Sequence, residues 1–340
     1  MMYKDPQLTN RIEEAQYVRL TGDGVTPLPP ESFSLINSQS QDYHSASVNS
    51  AEDKRVFTTT CAFPQQWFEN DSQIFFEKNS PPEKTELNSV AQNYYVPALK
   101  RHVGRVMRQS AAMGLVDPRT TYFSENSLHD AALHLLGSLY KKIVTHSVAQ
   151  TFAIPDLRLR IILDKTGAEL FADTLYHPWN KVGEIATITF DGIRDLPQVK
   201  LASAKVSRAA REAAEARGAH EALLCNRQGY ITEGAWTNLF WFDLSGKLFQ
   251  PAEPLLPGII REAVESCRTV ELRSVTAEYL LNEAAEVFVT QSTKPMTKIN
   301  SINGTMLGHS AEKKNKTNFC NELLSDLRKQ LFEESTKIAR

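Results

Sequence analysis

Apolar residues recur at helical spacing over 96–113, where Leu99, Val103, Val106 and Met107 line one side and Gly114 stops the run. A second helix is predicted over 127–147, with Ala131, Ala132, Leu135, Leu136, Leu139 and Ile143 on one face. The period then falls to two: 157–163 alternates as a strand, with 169–175 as its partner, and 55–60 is a β-rich run. In the second half, strands are predicted at 185–190, 221–225, 230–232, 238–242, 248–250 and 286–290. Helices are predicted over 204–216, closed by Gly218, from Gly258 onward, and over 311–338. Two polar stretches interrupt the pattern. The segment 21–53, rich in Ser, Asn, Gln and Pro, reads as a loosely folded extension with a short strand at 33–36, and 77–93 is a polar insertion containing Pro81-Pro82. No internal repeat is present. Mixed strands and helices in this order predict an α+β or α/β fold of two mixed domains, not a simple βαβ winding. The predicted organisation is an extension over 1–54, a small domain over 55–176, a turn-rich link over 177–183 and a large domain over 184–340.

The 340 residues suffice for two cores. A net charge of −2 creates no basic field, which argues against nucleic acid as the main partner. No apolar run reaches the length of a membrane span, and the polar start of the chain lacks the shape of a secretion or transit signal. Cys61, Cys225, Cys267 and Cys320 are scattered without a CxxC pair, which fits reduced thiols in the cytoplasm better than a disulfide frame or a metal site. Without a secretory signal, the sequons at Asn70, Asn303 and Asn315 read as chance matches.

The chemistry concentrates in three places. Lys200 precedes a predicted helix; Gly229-Tyr-Ile-Thr-Glu-Gly-Ala-Trp-Thr-Asn-Leu-Phe240 carries Glu233; and Leu256-Pro-Gly-Ile-Ile-Arg261 opens a helix at Gly258. Taken singly, a lysine before a helix is usually solvated, a glutamate beside a turn is usually on the surface, and most helix starts bind nothing. Together and in this order they are what holding pyridoxal phosphate requires: an amine for the Schiff base, a carboxylate for the pyridine nitrogen, and free backbone N–H groups for the phosphate.

The joint pattern resembles the class IV aminotransferases, the fold-type IV pyridoxal phosphate enzymes that include branched-chain and D-amino acid aminotransferases and aminodeoxychorismate lyases. The segment from Gly218-Ala-His-Glu-Ala-Leu-Leu-Cys225 through Glu233, Asn238 and Phe240 is similar to the family pattern that ends in LPGITR. The resemblance is continuous from about 200 to 304 and patchier over 55–163. It implies the fold-type IV architecture, with the cofactor between two mixed α/β domains. It also implies that Lys200 forms the Schiff base and moves the substrate proton, with Lys205 as its nearest competitor, and that Glu233 contacts the pyridine nitrogen. Gly258, Ile259 and Ile260 would bind the phosphate through backbone N–H groups, joined by Ser292 and Thr293 at the end of a later strand. In His102-Val-Gly-Arg-Val-Met-Arg-Gln-Ser-Ala-Ala-Met-Gly114, Arg105 stands where the family places a cationic phosphate clamp, and Arg101 and Arg108 are the neighbouring alternatives.

Substrate contacts are less defined. Phe57 and Thr59 lie on the strand that in relatives carries an arginine or lysine where this chain has Cys61, and Trp236 stands where relatives often carry Gly or Ser. Trp236 either narrows the pocket or packs a core or interface. Arg158 and Arg160 are both candidates for a substrate carboxylate, or simply two charges on a strand edge. The arginine that D-amino acid aminotransferases use on this strand corresponds to Leu163, which weakens a D-amino acid reading. The resemblance implies amino-group exchange between an amino acid and a 2-keto acid in a cytoplasmic homodimer. The alternatives are pyruvate elimination of the aminodeoxychorismate lyase type, and a degenerate scaffold with an interaction role.

Overall fold

The computed structural model describes residues 16–21, 24–27, 55–69, 93–116, 123–147, 156–175, 183–252, 254–308 and 318–338. The elements run in chain order β1 Gln16–Thr21, β2 Gly24–Pro27, β3 Val56–Pro64, α1 Gln65–Glu69, β4 Tyr94–Val96, α2 Leu99–Ala112 and α3 Glu125–Ser147. Next come β5 Asp156–Asp164, β6 Gly167–Leu175, β7 Glu184–Asp191, α4 Lys205–Ala216, β8 Glu221–Cys225, β9 Ile231–Gly234, β10 Asn238–Phe242 and β11 Leu248–Gln250. The rest is α5 Ile259–Cys267, β12 Val270–Leu272, α6 Ala277–Glu283, β13 Glu286–Gln291, β14 Lys294–Ile302, β15 Thr305–Met306, α7 Phe319–Glu333 and β16 Thr336–Lys337.

Two sheets organise the described residues. The first has seven strands in the order β16-β4-β3-β5-β6-β1-β2, and every pairing in it is antiparallel. The second has nine, ordered β12-β11-β10-β13-β14-β7-β8-β9 with β15 beside β14. It is mixed: β7 runs parallel to both β14 and β8, whereas β10 and β13 pair antiparallel. β1 and β2 fall inside the polar extension, which the hydrophobic pattern leaves unassigned, and β16 corrects the helix predicted over 311–338: the described helix ends at Glu333, and Thr336–Lys337 pair with the edge of β4. The strand expected at 33–36 lies outside the described residues, as do all but the last residue of the insertion at 77–93 and of the link at 177–183.

Strand β5 shows how the sheet serves the site. Leu157, Leu159, Ile161 and Leu163 are buried under α2 and α3, while Arg158, Arg160 and Ile162 alternate onto the opposite face. Helix α2 inserts a mixed face: beside Leu99, Val103 and Val106 it buries His102, Arg105 and Gln109. Buried polar side chains on a helix cost stability unless they are bonded, so their presence marks this face as more than packing. A further cluster joins Phe63 and Trp67 from the first sheet's end to Ile260 of α5 and to Leu323 and Leu327 of α7, which fixes the start of α5 against the first sheet.

Candidate active site

Lys200 sits where the two sheets meet. Its carbonyl accepts from Phe57 N at 3.0 Å, and Ala202 N donates to Arg55 O at 2.8 Å, so the segment lies along β3. The Lys200 amide donates to Gln109 Oε1 at 3.2 Å, while Gln109 Nε2 donates to Gln198 O at 2.8 Å. Lys200 Nζ stands 4.9 Å from the centre of the Phe57 ring. Part of the side chain is accessible, yet protein surrounds the amine. Burial holds its pKa well below 10.5, with Arg105 and Arg194 adding to the effect and Glu233 opposing it. An amine whose charged form is disfavoured in this way is a readier nucleophile and base than a solvated lysine. Lys205, by contrast, is exposed at the start of α4.

Glu233 is buried on β9. Its Oε1 accepts from Arg194 Nε at 2.9 Å and its Oε2 from Leu256 N at 3.2 Å. Burial raises its pKa from 4.5, while Arg194 and the Leu256 amide pull the other way. Arg194 is itself fixed by donating to Pro197 O at 2.6 Å. The turn that follows is tight: a Cβ on Gly234 would come within 1.9 Å of Thr237 Oγ1. Beneath it lies Glu221, whose Oε2 accepts from Thr237 Oγ1 at 3.1 Å and from Trp236 N at 3.4 Å; burial pushes this carboxyl up to about 7.

Arg105 is buried against the start of α5. It donates from Nη1 to Pro257 O at 3.3 Å and from Nη2 to Thr58 Oγ1 at 2.8 Å, while its Nε has no protein partner. Burial lowers its pKa to about 10, so it remains a cation at neutral pH. Gly258 is the N-cap of α5 and offers no side-chain bond to the helix, so the amides of the first turn, including Ile259 and Ile260, stay available. A buried arginine with a spare N–H beside an uncapped helix start is a cradle for an anion. The neighbouring arginines are otherwise engaged: Arg101 pairs with Glu262 at 2.6 Å and Glu334 at 2.8 Å, and Arg108 is exposed.

Gly258 is held to its size by β10. A Cβ there would meet Asn238 Oδ1 at 2.1 Å, and Asn238 is tied by its Nδ2 to Leu256 O at 3.0 Å. Gly258→Ala is therefore expected to destabilise the protein by about 1–3 kcal/mol, as overpacking does, and to weaken anion binding by shifting the helix start. A melting temperature equal to that of the wild type would show that the loop yields freely. Ser292 and Thr293 form the half-buried turn after β13, where Thr293 Oγ1 donates to Gln291 Oε1 at 3.2 Å. Thr290, just before that turn, pairs with Asn238, the residue packed against Gly258.

The face of the first sheet turned toward Lys200 carries Phe57, Thr59, Arg158 and Arg160. Thr59 pairs with Arg160, and Cys61 with Arg158. The two arginines differ in their commitments. Arg158 forms a two-point ion pair with the buried Asp173. Arg160 lies 5.7 Å from the centre of the same Phe57 ring that faces Lys200, and its Nε has no protein partner. Leu163 points the other way, into the core. Trp236 is half-buried against Ile188, Ala210 and Leu224, and its Nε1 has no protein partner.

Arg194, Gln109, Thr58 and His102 belong to this site, and motif reading misses their roles. Arg194 sits in a loop with no periodic signal; the other three are visible only as polar residues on surfaces that pack. Among the described residues no group of three His, Cys, Asp or Glu could hold a metal ion, and no helix is long and apolar enough to cross a membrane.

Residues 87–302 match the family model described as Amino-transferase class IV. A probable branched-chain-amino-acid aminotransferase of Aquifex aeolicus (strain VF5) is 35% identical over 119 residues, and the match spans 38% of that relative and 32% of this chain. Among solved structures, the branched-chain amino acid aminotransferase of Thermobaculum terrenum (M4 mutant) superposes with a TM-score of 0.63 at 16% identity, covering 95% of this chain and 97% of that one. The branched-chain aminotransferase of Thermoproteus uzoniensis with norvaline gives 0.59 at 20% identity, over 84% of this chain and 91% of that one. The fold is thus that of these enzymes, and the family match covers more than half of the sequence. The chain belongs to the class IV aminotransferase family.

Proposed function

We propose that the protein is a pyridoxal phosphate-dependent transaminase that exchanges an amino group between an amino acid and a 2-keto acid. The observation that carries this reading is a lysine amine whose charged form is disfavoured by burial, in company with an ion-paired buried carboxylate and an anion cradle, in a chain of this family. The residues fit the cofactor. The spare Arg105 Nε–H and the open first turn of α5 suit a phosphate, and Glu233, whose charged form Arg194 and the Leu256 amide favour, suits a protonated ring nitrogen. When bound, the cofactor supplies an electron sink for negative charge at the substrate's Cα.

The protein's own part is positioning and proton transfer. The Gln109 and β3 bonds fix the Lys200 backbone, so Nζ swings on a short, defined tether. With its charged form disfavoured, Nζ can take the proton from the substrate's Cα, and the Phe57 ring packs beside it. Arg160 is the cation free to take a substrate carboxylate, since Arg158 is engaged by Asp173. Arg160→Ala is expected to raise KM for the amino acid roughly 10–100-fold, the worth of one charge-assisted hydrogen bond, with kcat much less affected. An unchanged KM would remove Arg160 from the substrate site.

The relatives that match are named as transaminases, which supports amino transfer over pyruvate elimination. One solved relative holds norvaline and another N-(5'-phosphopyridoxyl)-L-glutamate, so α-amino acids with aliphatic or acidic side chains are the first donors to test. The four free cysteines support a reducing, cytoplasmic setting, and a homodimer is the assembly the family resemblance implies. Following labelled amino nitrogen from L-glutamate to an aliphatic 2-keto acid tests the reading. Label in the new amino acid supports it; release of pyruvate from aminodeoxychorismate without label transfer would replace it with the lyase.

A further inference from the structure

The contacts around Arg105 assign a role to two residues that the proposed chemistry does not use. Arg105 Nη2 lies 2.8 Å from Thr58 Oγ1, and Thr58 Oγ1 lies 2.7 Å from His102 Nδ1. A guanidinium has only donors, so the first contact runs from Arg105 to Thr58. The Thr58 hydroxyl has one hydrogen to place, and His102 Nδ1 lies within reach of it. With Thr58 donating, Nδ1 is bare and the ring proton sits on Nε2. All three groups are buried, with His102 at 0%, Thr58 at 1% and Arg105 at 5% exposure.

We propose that Thr58 and His102 are positioning residues for Arg105: neutral His102, as its Nε2–H tautomer, orients the Thr58 hydroxyl, which in turn holds the guanidinium so that its Nε–H faces the anion cradle. The inference rests on the reading of that cradle as the phosphate site. The register supports it. His102 and Arg105 are three residues apart on one face of α2, and Thr58 is the residue of β3 that turns away from the Phe57 and Thr59 face toward that helix. His102 Nε2 has no protein partner, which costs stability; an apolar residue would avoid that cost but could not accept from Thr58. Burial, followed by the nearby Arg105, Lys200 and Arg101, also holds the ring neutral. A long arginine loses much rotamer freedom on ordering, so a relay that fixes it before the ligand arrives raises affinity.

The test compares binding of pyridoxal phosphate with binding of pyridoxal, which lacks the phosphate. Thr58→Val and His102→Leu are expected to weaken pyridoxal phosphate binding roughly tenfold each, and no further in combination, while pyridoxal affinity stays as in the wild type. Thr58→Ser and His102→Asn, which keep the hydroxyl and an acceptor near Nδ1, are expected to retain affinity and guard against loss by misfolding. Nitrogen NMR of labelled histidine in the unliganded protein is expected to show a bare Nδ1 on His102. Equal losses for both ligands, or wild-type affinity in Thr58→Val and His102→Leu, would overturn the relay, as would a proton on Nδ1. Arg105→Ala separates the two levels of the argument. If it weakens pyridoxal phosphate alone, the phosphate reading stands whatever the relay does; if it changes nothing, that reading falls and the relay's function with it.

Discussion

Lys200→Ala is expected to lower turnover by roughly four orders of magnitude or more, because it removes both the nucleophile and the base, whose separate contributions are each large. Full retention of activity would mean that another amine does the work; Lys205, exposed on α4, is the nearest in sequence. The same position makes a second, opposite claim about stability. Burial, with Arg105 and Arg194, holds the Lys200 pKa well below 10.5. In the unfolded chain the amine keeps its ordinary value, so between the depressed and the ordinary value folding releases a proton, and the wild type gains stability as pH rises toward the ordinary lysine range. Lys200→Met removes that cost. The unliganded variant is expected to melt above the wild type at neutral pH, with the difference shrinking as pH approaches 10.5. A variant that melts lower at every pH would show that the amine is not destabilised where it sits.

Glu233→Gln is expected to reduce kcat about 100–1,000-fold, the range seen when one preorganised electrostatic contact is lost. The amide keeps the shape and can still accept from the Leu256 amide, so cofactor binding should persist. The charge, however, is gone, and Arg194 is left as a largely buried cation without its partner. The variant should therefore melt lower as well as react slowly. Removing both charges in Glu233→Gln with Arg194→Met should recover stability but not rate. Recovery of rate would mean that Glu233 serves only to neutralise Arg194.

Much of this was legible in the chain. The alternation over 157–163 reappears in β5 with its buried and open faces as expected, and the helix predicted over 204–216 is α4 with its start shifted by one residue. Lys200, Glu233, Arg105 and Gly258 were singled out by the order of the motifs and the family resemblance they carry. The structure adds a steric reason at Gly258, where Asn238 leaves no room for a Cβ. What was not legible depends on partners far away in sequence. Nothing in the spacing of Arg158 and Arg160 says that Asp173, across a strand pair, engages one of them and leaves the other with a free Nε. Arg194 belongs to a loop whose geometry follows from Pro197 and Glu233 together, so no local pattern announces it. β1 and β2 escaped because the two short runs Gln16–Thr21 and Gly24–Pro27 were absorbed into the polar extension; their place is set by the edge of β6. The helix expected over 311–338 is described only as 319–333, and the residues beyond it pair as a strand because β4 offers an edge there.

The central claim, that Lys200 anchors a cofactor which this protein uses to move amino groups, is tested most directly by the visible absorption of the purified protein with pyridoxal phosphate, recorded before and after L-glutamate is added. The account predicts a band of the lysine-linked cofactor that Lys200→Ala lacks, and its conversion to the pyridoxamine phosphate form with release of one 2-keto acid per site. A band that survives in Lys200→Ala, or one that neither L-glutamate, alanine nor leucine of either hand converts, would contradict it.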